Sequence, residues 1–140
     1  MSNLSVTAAN VAAAVGAGNI TEVGTFGGTI TAGMLVYKDP ADLKYKAADS
    51  GHAAPVCKLY GMALNGGSAG QPGLVLRAGN VNPGATMTVG QIYILSSTSG
   101  GGNIAPVSDL TTGWRTAVLG IATTASNLLL CISAGNVAKA

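Results

Sequence analysis

From residue 20 onward, apolar residues recur at every second position in short runs separated by Gly, Pro, Asn and Asp. That is the pattern of half-buried strands joined by turns. Residues 20–23 form a first candidate strand, broken at 24–28. Residues 29–37 then place Ile30, Ala32, Met34 and Val36 on one face. Asp39-Pro40-Ala41-Asp42 has turn chemistry, and 43–47 returns as the second arm of a hairpin with Lys44 and Lys46 on its outer face. Residues 56–64 are densely apolar and predict a buried strand. After the turn Asn65-Gly66-Gly67-Ser68-Ala69-Gly70-Gln71-Pro72, residues 74–78 pair back.

Past Asn82-Pro83-Gly84 the pattern starts again, with a longer loop at 96–103 containing Gly100-Gly101-Gly102. Strands at 114–123 and 128–133 are expected to close the sheet, leaving 135–140 as a mobile tail or contact arm. The first 19 residues differ: Thr7 could cap a short Ala-rich helix over 8–15 that ends at Gly16, or the segment could be an extended arm.

The recurrence is specific. Gly28-Thr29-Ile30-Thr31-Ala32-Gly33-Met34-Leu35-Val36-Tyr37 is echoed 57 positions later by Ala85-Thr86-Met87-Thr88-Val89-Gly90-Gln91-Ile92-Tyr93-Ile94. Leu59-Tyr60-Gly61-Met62-Ala63 is echoed by Val118-Leu119-Gly120-Ile121-Ala122, and Ala78-Gly79-Asn80-Val81 by Ala134-Gly135-Asn136-Val137. An internal duplication accounts for three ordered matches. The expected fold is therefore all-β: a small barrel or sandwich of two duplicated halves, 26–81 and 82–137, with a short N-terminal arm or helix at 1–19. Residues 20–140 then form a single β domain.

Composition adds one anomaly. Charged residues are 9% of the 140, against about 25% in ordinary soluble domains. None lies between Lys58 and Arg77, or between Arg77 and Asp109, while seven of the twelve fall between Lys38 and Lys58. A surface so poor in charge is expected to be either Thr, Ser, Asn and Gly or covered by another chain, and the second option favours a homo-oligomer or larger assembly. The net charge of +2 gives no basis for phosphate neutralisation, so no nucleic-acid partner is expected. Apolar runs such as 128–132 fall far short of about 20 residues, so no membrane span is expected. The first basic residue is Lys38, a poor match to a secretory leader. The chain reads as soluble and made in the cytoplasm.

No constellation points to chemistry. His52, in Asp49-Ser50-Gly51-His52, lies near Cys57 in sequence, but nothing fixes a base and a third orienting group around a nucleophile. Of the carboxylates Glu22, Asp39, Asp42, Asp49 and Asp109, four are explained by turns. The glycines form no phosphate-binding motif, and Cys57 and Cys131 are expected to be buried thiols. Lys44 near the Asp39–Asp42 turn lacks the flanking pattern of a biotinyl or lipoyl carrier. Catalytic, cofactor-binding and metal-binding residues are accordingly expected to be none, the chain is expected not to be an enzyme, and no cofactor is expected.

Several stretches together resemble the capsid decoration, or head cement, proteins of tailed bacteriophages. They are Asn3-Leu4-Ser5-Val6-Thr7; Gly28-Thr29-Ile30-Thr31-Ala32-Gly33 with Val36-Tyr37-Lys38-Asp39; Tyr45-Lys46-Ala47-Ala48-Asp49; and Gly61-Met62-Ala63-Leu64-Asn65-Gly66-Gly67-Ser68-Ala69-Gly70-Gln71-Pro72. Further on come Gly84-Ala85-Thr86-Met87-Thr88-Val89-Gly90-Gln91-Ile92-Tyr93, Ala105-Pro106-Val107-Ser108-Asp109-Leu110-Thr111-Thr112-Gly113, and Val118-Leu119-Gly120-Ile121-Ala122-Thr123. The resemblance implies a homotrimeric structural protein of the virion, made in the host cytoplasm. It would sit on the outer capsid surface and tie major capsid protein subunits together. The Ala-rich start and the two cysteines depart from that pattern. The alternative is a carbohydrate- or receptor-binding module of a phage tail fibre, which would use Trp114 with Tyr37, Tyr60 or Tyr93 as an exposed aromatic platform.

Overall fold

The computed structural model describes residues 3–14, 18–97 and 101–140. The end expected for the N-terminal helix (15–17) and part of the glycine loop (98–100) lie outside the described residues. In chain order the strands are β1 (Val11–Ala13), β2 (Ile20–Thr25), β3 (Leu35–Lys38), β4 (Tyr45–Ala47), β5 (Gly61–Ala63), β6 (Pro72–Pro83), β7 (Ile92–Leu95), β8 (Ile104–Pro106), β9 (Arg115–Ala122) and β10 (Leu128–Ala138). The fold is all-β. A curled antiparallel sheet in the order β4-β3-β5-β6-β10-β9-β7-β8 forms a half-barrel, and β1 and β2 also pair with β6.

That order is a palindrome, and its ladders repeat. Val36 on β3 pairs with Gly61 and Ala47; 57 positions on, Tyr93 on β7 pairs with Gly120 and Pro106. The echoed glycines have a common cause. At Gly61 a Cβ would run into Val75 and the Leu76 carbonyl, and at Gly120 into the Leu129 carbonyl, so each lets the neighbouring strand approach. The third echo does not survive: Val75 pairs with Ala63 and Leu128 with Ala122, so the ladders equate residues 53 apart at these hairpins. The loop after β5 is longer than the loop after β9, and bulges in β10 shift its later register.

The Thr-x-Thr-x-Gly motif makes tight turns instead of the strand expected over 29–37. The Met34 N–H reaches the Thr31 carbonyl at 3.2 Å and the Gln91 N–H reaches Thr88 at 3.1 Å. Gly33 and Gly90 take φ of +90° and +80°, which favours glycine. Each then donates its N–H across the sheet, to Ala63 and Ala122, both at 2.8 Å. Similarly, only Gly61–Ala63 of the expected strand 56–64 joins the sheet. The N–H groups of Val56 and Lys58 instead turn back to the carbonyls of Ala53 and Pro55.

β6 is the spine. Val75 pairs with Glu22 on β2 and Ala63 on β5, while Val81 pairs with Ala13 on β1 and Leu128 on β10. Residues 4–14 and 128–139 are tied down along the body. In place of a helix over 8–15 there is a single 3-10 turn, Ala8–Asn10, followed by β1, and Thr7 makes no side-chain cap. The N–H groups of Leu4, Thr7 and Ala14 donate to the carbonyls of Ile104, Gly84 and Asn80 at 2.8–2.9 Å. At the other end β10 runs to Ala138, and Lys139 bonds both ways with Gly113 and Trp114, so the expected mobile tail is paired.

The main core lies between the halves, with Leu35, Met62 and Leu76 facing Tyr93, Leu119 and Leu128. Leu4 and Val6 pack against it from the N-terminal segment. A second cluster of Phe26, Ile30, Val36, Tyr45, Ala63 and Val75 fills the other face of the first half. A third holds Ile94, Ala105 and Trp114.

Candidate interaction surfaces

The residues considered for chemistry do not converge. His52 sits exposed on its loop, with Asp49 at 3.8 Å. The buried Cys57 thiol points elsewhere, 3.4 Å from the Asn136 amide oxygen. Cys131 is free and exposed, against the expectation of a buried thiol, because the outward positions of β10 include residue 131. Among the described residues no group of three His, Cys, Asp or Glu could hold a metal ion, and no helix is long and apolar enough to cross a membrane. Tyr37 and Tyr93 lie in the main core, Trp114 is buried in the third cluster, and only Tyr60 is half-exposed. These rings form no exposed platform.

Instead, Glu22 organises a polar cluster over the first half. Its carboxylate accepts hydrogen bonds from the Tyr45 hydroxyl, the Tyr60 hydroxyl at 2.8 Å and the Lys38 ammonium at 3.2 Å. These three donors, Tyr45 foremost, hold its pKa below the usual range against a smaller opposing effect of burial. Tyr45 is pushed up by burial and by the carboxylate it faces, and Tyr60 likewise. Lys38 lies 5.5 Å from the Tyr60 ring centre, and the Arg77 guanidinium covers the same ring at 3.5 Å. Gly24 on β2 makes room, since a Cβ there would strike the Tyr45 ring. The sequence signal was that Glu22 is the one carboxylate inside a strand.

Beside this cluster Lys46 clips the β3–β4 hairpin, bridging Asp39 at 2.7 Å and Asp42 at 3.2 Å. Its partners raise the lysine pKa, Asp39 first, and the two aspartates are lowered in turn. The charges of the first half are thus largely spent within the chain.

Two other features face outward. A hollow of about 440 Å³ lies where the N-terminal segment crosses the junction of the halves, lined by Ser5, Thr7, Asn10, Asn82, Thr86 and Ser126 together with Gly84 and Ala85. It offers hydroxyls and amides and no charge. On the second half, Ile92, Ile121 and Leu129 form a cross-strand row over β7, β9 and β10, and are 38%, 44% and 41% exposed.

Comparison with known proteins returned no match, whether to family models, curated proteins or solved structures.

Proposed function

We propose that this chain is a structural virion protein that decorates the outer surface of a phage capsid as a homotrimer and bridges major capsid protein subunits. The observation that carries the reading is the division of polar chemistry. Glu22 pairs with Lys38, and Lys46 with Asp39 and Asp42, in the first half, whereas the outward row over β7, β9 and β10 is aliphatic and the arm-side hollow is lined by hydroxyls and amides. Such a surface is suited to burial against protein and presents no acid, base and nucleophile within reach of one another. The resemblance of the turn and strand motifs to head cement proteins supplies the partner. Many weak contacts, repeated over a capsid lattice, give stable attachment through multivalency. In this reading the protein is not an enzyme and needs no cofactor, nucleic acid or membrane.

The test is pelleting of the purified chain with undecorated capsids of its phage. Saturable recovery with the capsids is expected. A chain that stays in the supernatant contradicts the proposal, and glycan binding by that same chain favours the tail-fibre module.

A further inference from the structure

At Arg77 the pairing of β6 with β2 slips by one residue. Leu76 pairs with Thr21 and Ala78 with Ile20, so residue 77 has no partner on β2. A bulge of this kind aims a side chain where the regular ladder would not. The Arg77 guanidinium lies 3.5 Å from the centre of the Tyr60 ring, and its Nε–H donates to the Tyr60 carbonyl at 3.2 Å. Tyr60 is fixed in turn by its hydroxyl on Glu22 and by packing against the second core cluster. The arginine is exposed, yet the ring and the Nε bond hold its stem in place.

Its terminal amino groups have no hydrogen-bond partner among the described residues, and no carboxylate there lies within ion-pair range. Other cations are committed: Lys38 to Glu22, Lys46 to Asp39 and Asp42, and Lys58 and Arg115 to the carbonyls of Ala134 and Gly51. Around Tyr60, Lys38 and Arg77 therefore face Glu22 alone, and one positive charge is left over. The duplication shows that a half closes without this arrangement. By ladder, Gly61 answers to Gly120 and Val75 to Leu128, so Tyr60 and Arg77 answer to Leu119 and Leu130. Both leucines are buried in the main core. Where the second half packs aliphatics, the first sets a cation on a ring at the surface.

A guanidinium offers parallel N–H groups that match the two oxygens of a carboxylate, and it sheds water more readily than an ammonium. A stem already fixed loses little further freedom on binding. A dianionic phosphate fits less well, because Glu22 bonds to the same Tyr60 and only one positive charge is uncompensated. Arg77 lies outside the arm-side hollow, so a small free acid gains only the ion pair, whereas a protein face adds contacts around it. We infer that Arg77 on Tyr60 is an anchor for an aspartate or glutamate side chain of a partner protein. The inference deepens the capsid-decoration reading and rests on it for the partner, the major capsid protein.

Nitrogen–proton spectra of the full chain test the anchor without capsids, since Arg77 and Arg115 are its two arginines. Sodium acetate, exchanged for chloride at constant ionic strength, is expected to shift the Arg77 Nε–H signal about twofold further than that of Arg115. Equal shifts at the two, or a larger response of Arg77 to phosphate than to acetate, overturn the inference. Pelleting with undecorated phage capsids tests the partner. Arg77→Lys keeps the charge and loses the fork, and is expected to weaken binding about tenfold. Lys44→Gln, which removes a cation elsewhere, is expected to bind as the parent does. An Arg77→Lys variant that is folded by circular dichroism and pellets like the parent also overturns the inference. A parent chain that responds to acetate and never pellets removes the decoration reading and leaves the anchor to another acidic partner.

Discussion

Glu22 shows how a single residue can anchor an edge strand. Because its pKa is lowered in the folded chain, its contribution is fully present above the unfolded value near 4.5 and is lost as pH falls through the lower folded value. Asp39 and Asp42 act with the same sign at slightly lower pH. Melting temperature is therefore expected to hold from neutral pH down to about that value and to fall below it. Thermal melts of Glu22→Gln should show a loss of about 1 kcal/mol at neutral pH, modest because the site is partly solvated, and a flatter acid limb. An unchanged acid limb would remove Glu22 from that role. Gly120 is a residue-scale constraint of another kind: the Leu129 carbonyl occupies the space a Cβ needs. Gly120→Ala is expected to cost about 3 kcal/mol in a denaturant titration. Gly90→Ala, with open space but a φ of +80°, should cost only about 1 kcal/mol.

At the level of elements, the N-terminal segment is part of the body. Val6 packs on the core and against the turn at Gly33, and three backbone hydrogen bonds fix residues 4–14 along the sheet. Val6→Ala is expected to lower stability by about 1 kcal/mol. Hydrogen exchange should find the amides of Leu4, Thr7 and Ala14 protected; rapid exchange at all three would show a detached arm. Alternation made the hairpin of β3 and β4 legible in the sequence, because its apolar face is buried and its turn is Asp-Pro rich. The start of β3 was misplaced because Ile30 and Ala32 continue the period-two pattern through residues that form a turn. A propensity for strand cannot distinguish those cases, whereas the glycine at the fifth motif position, held at positive φ, decides them. The tail after residue 134 was equally opaque, since its pairing depends on Trp114 and Gly113 far away in sequence.

For the whole molecule, the duplication was legible because the glycines and turns that build each half are spaced alike. The cluster around Glu22 was hidden, since it gathers residues from β2, β3, β4 and β6, with Tyr60 just ahead of β5, that no local pattern links. The uneven charge along the sequence tracks the structure at this scale: the ion pairs of Glu22, Lys38, Asp39, Asp42 and Lys46 all lie in the first half, and the aliphatic row of Ile92, Ile121 and Leu129 lies on the second. A protein arranged in this way is read here as one that holds other proteins together. If it bridges capsid subunits, its binding must stabilise the lattice by linkage, since ligands that favour the assembled state shift its dissociation. The most direct measurement of the proposed role is the thermal disruption of undecorated phage capsids with and without saturating protein. The account predicts that disruption moves to higher temperature in proportion to the copies bound, and binding that leaves the disruption temperature unchanged would contradict it.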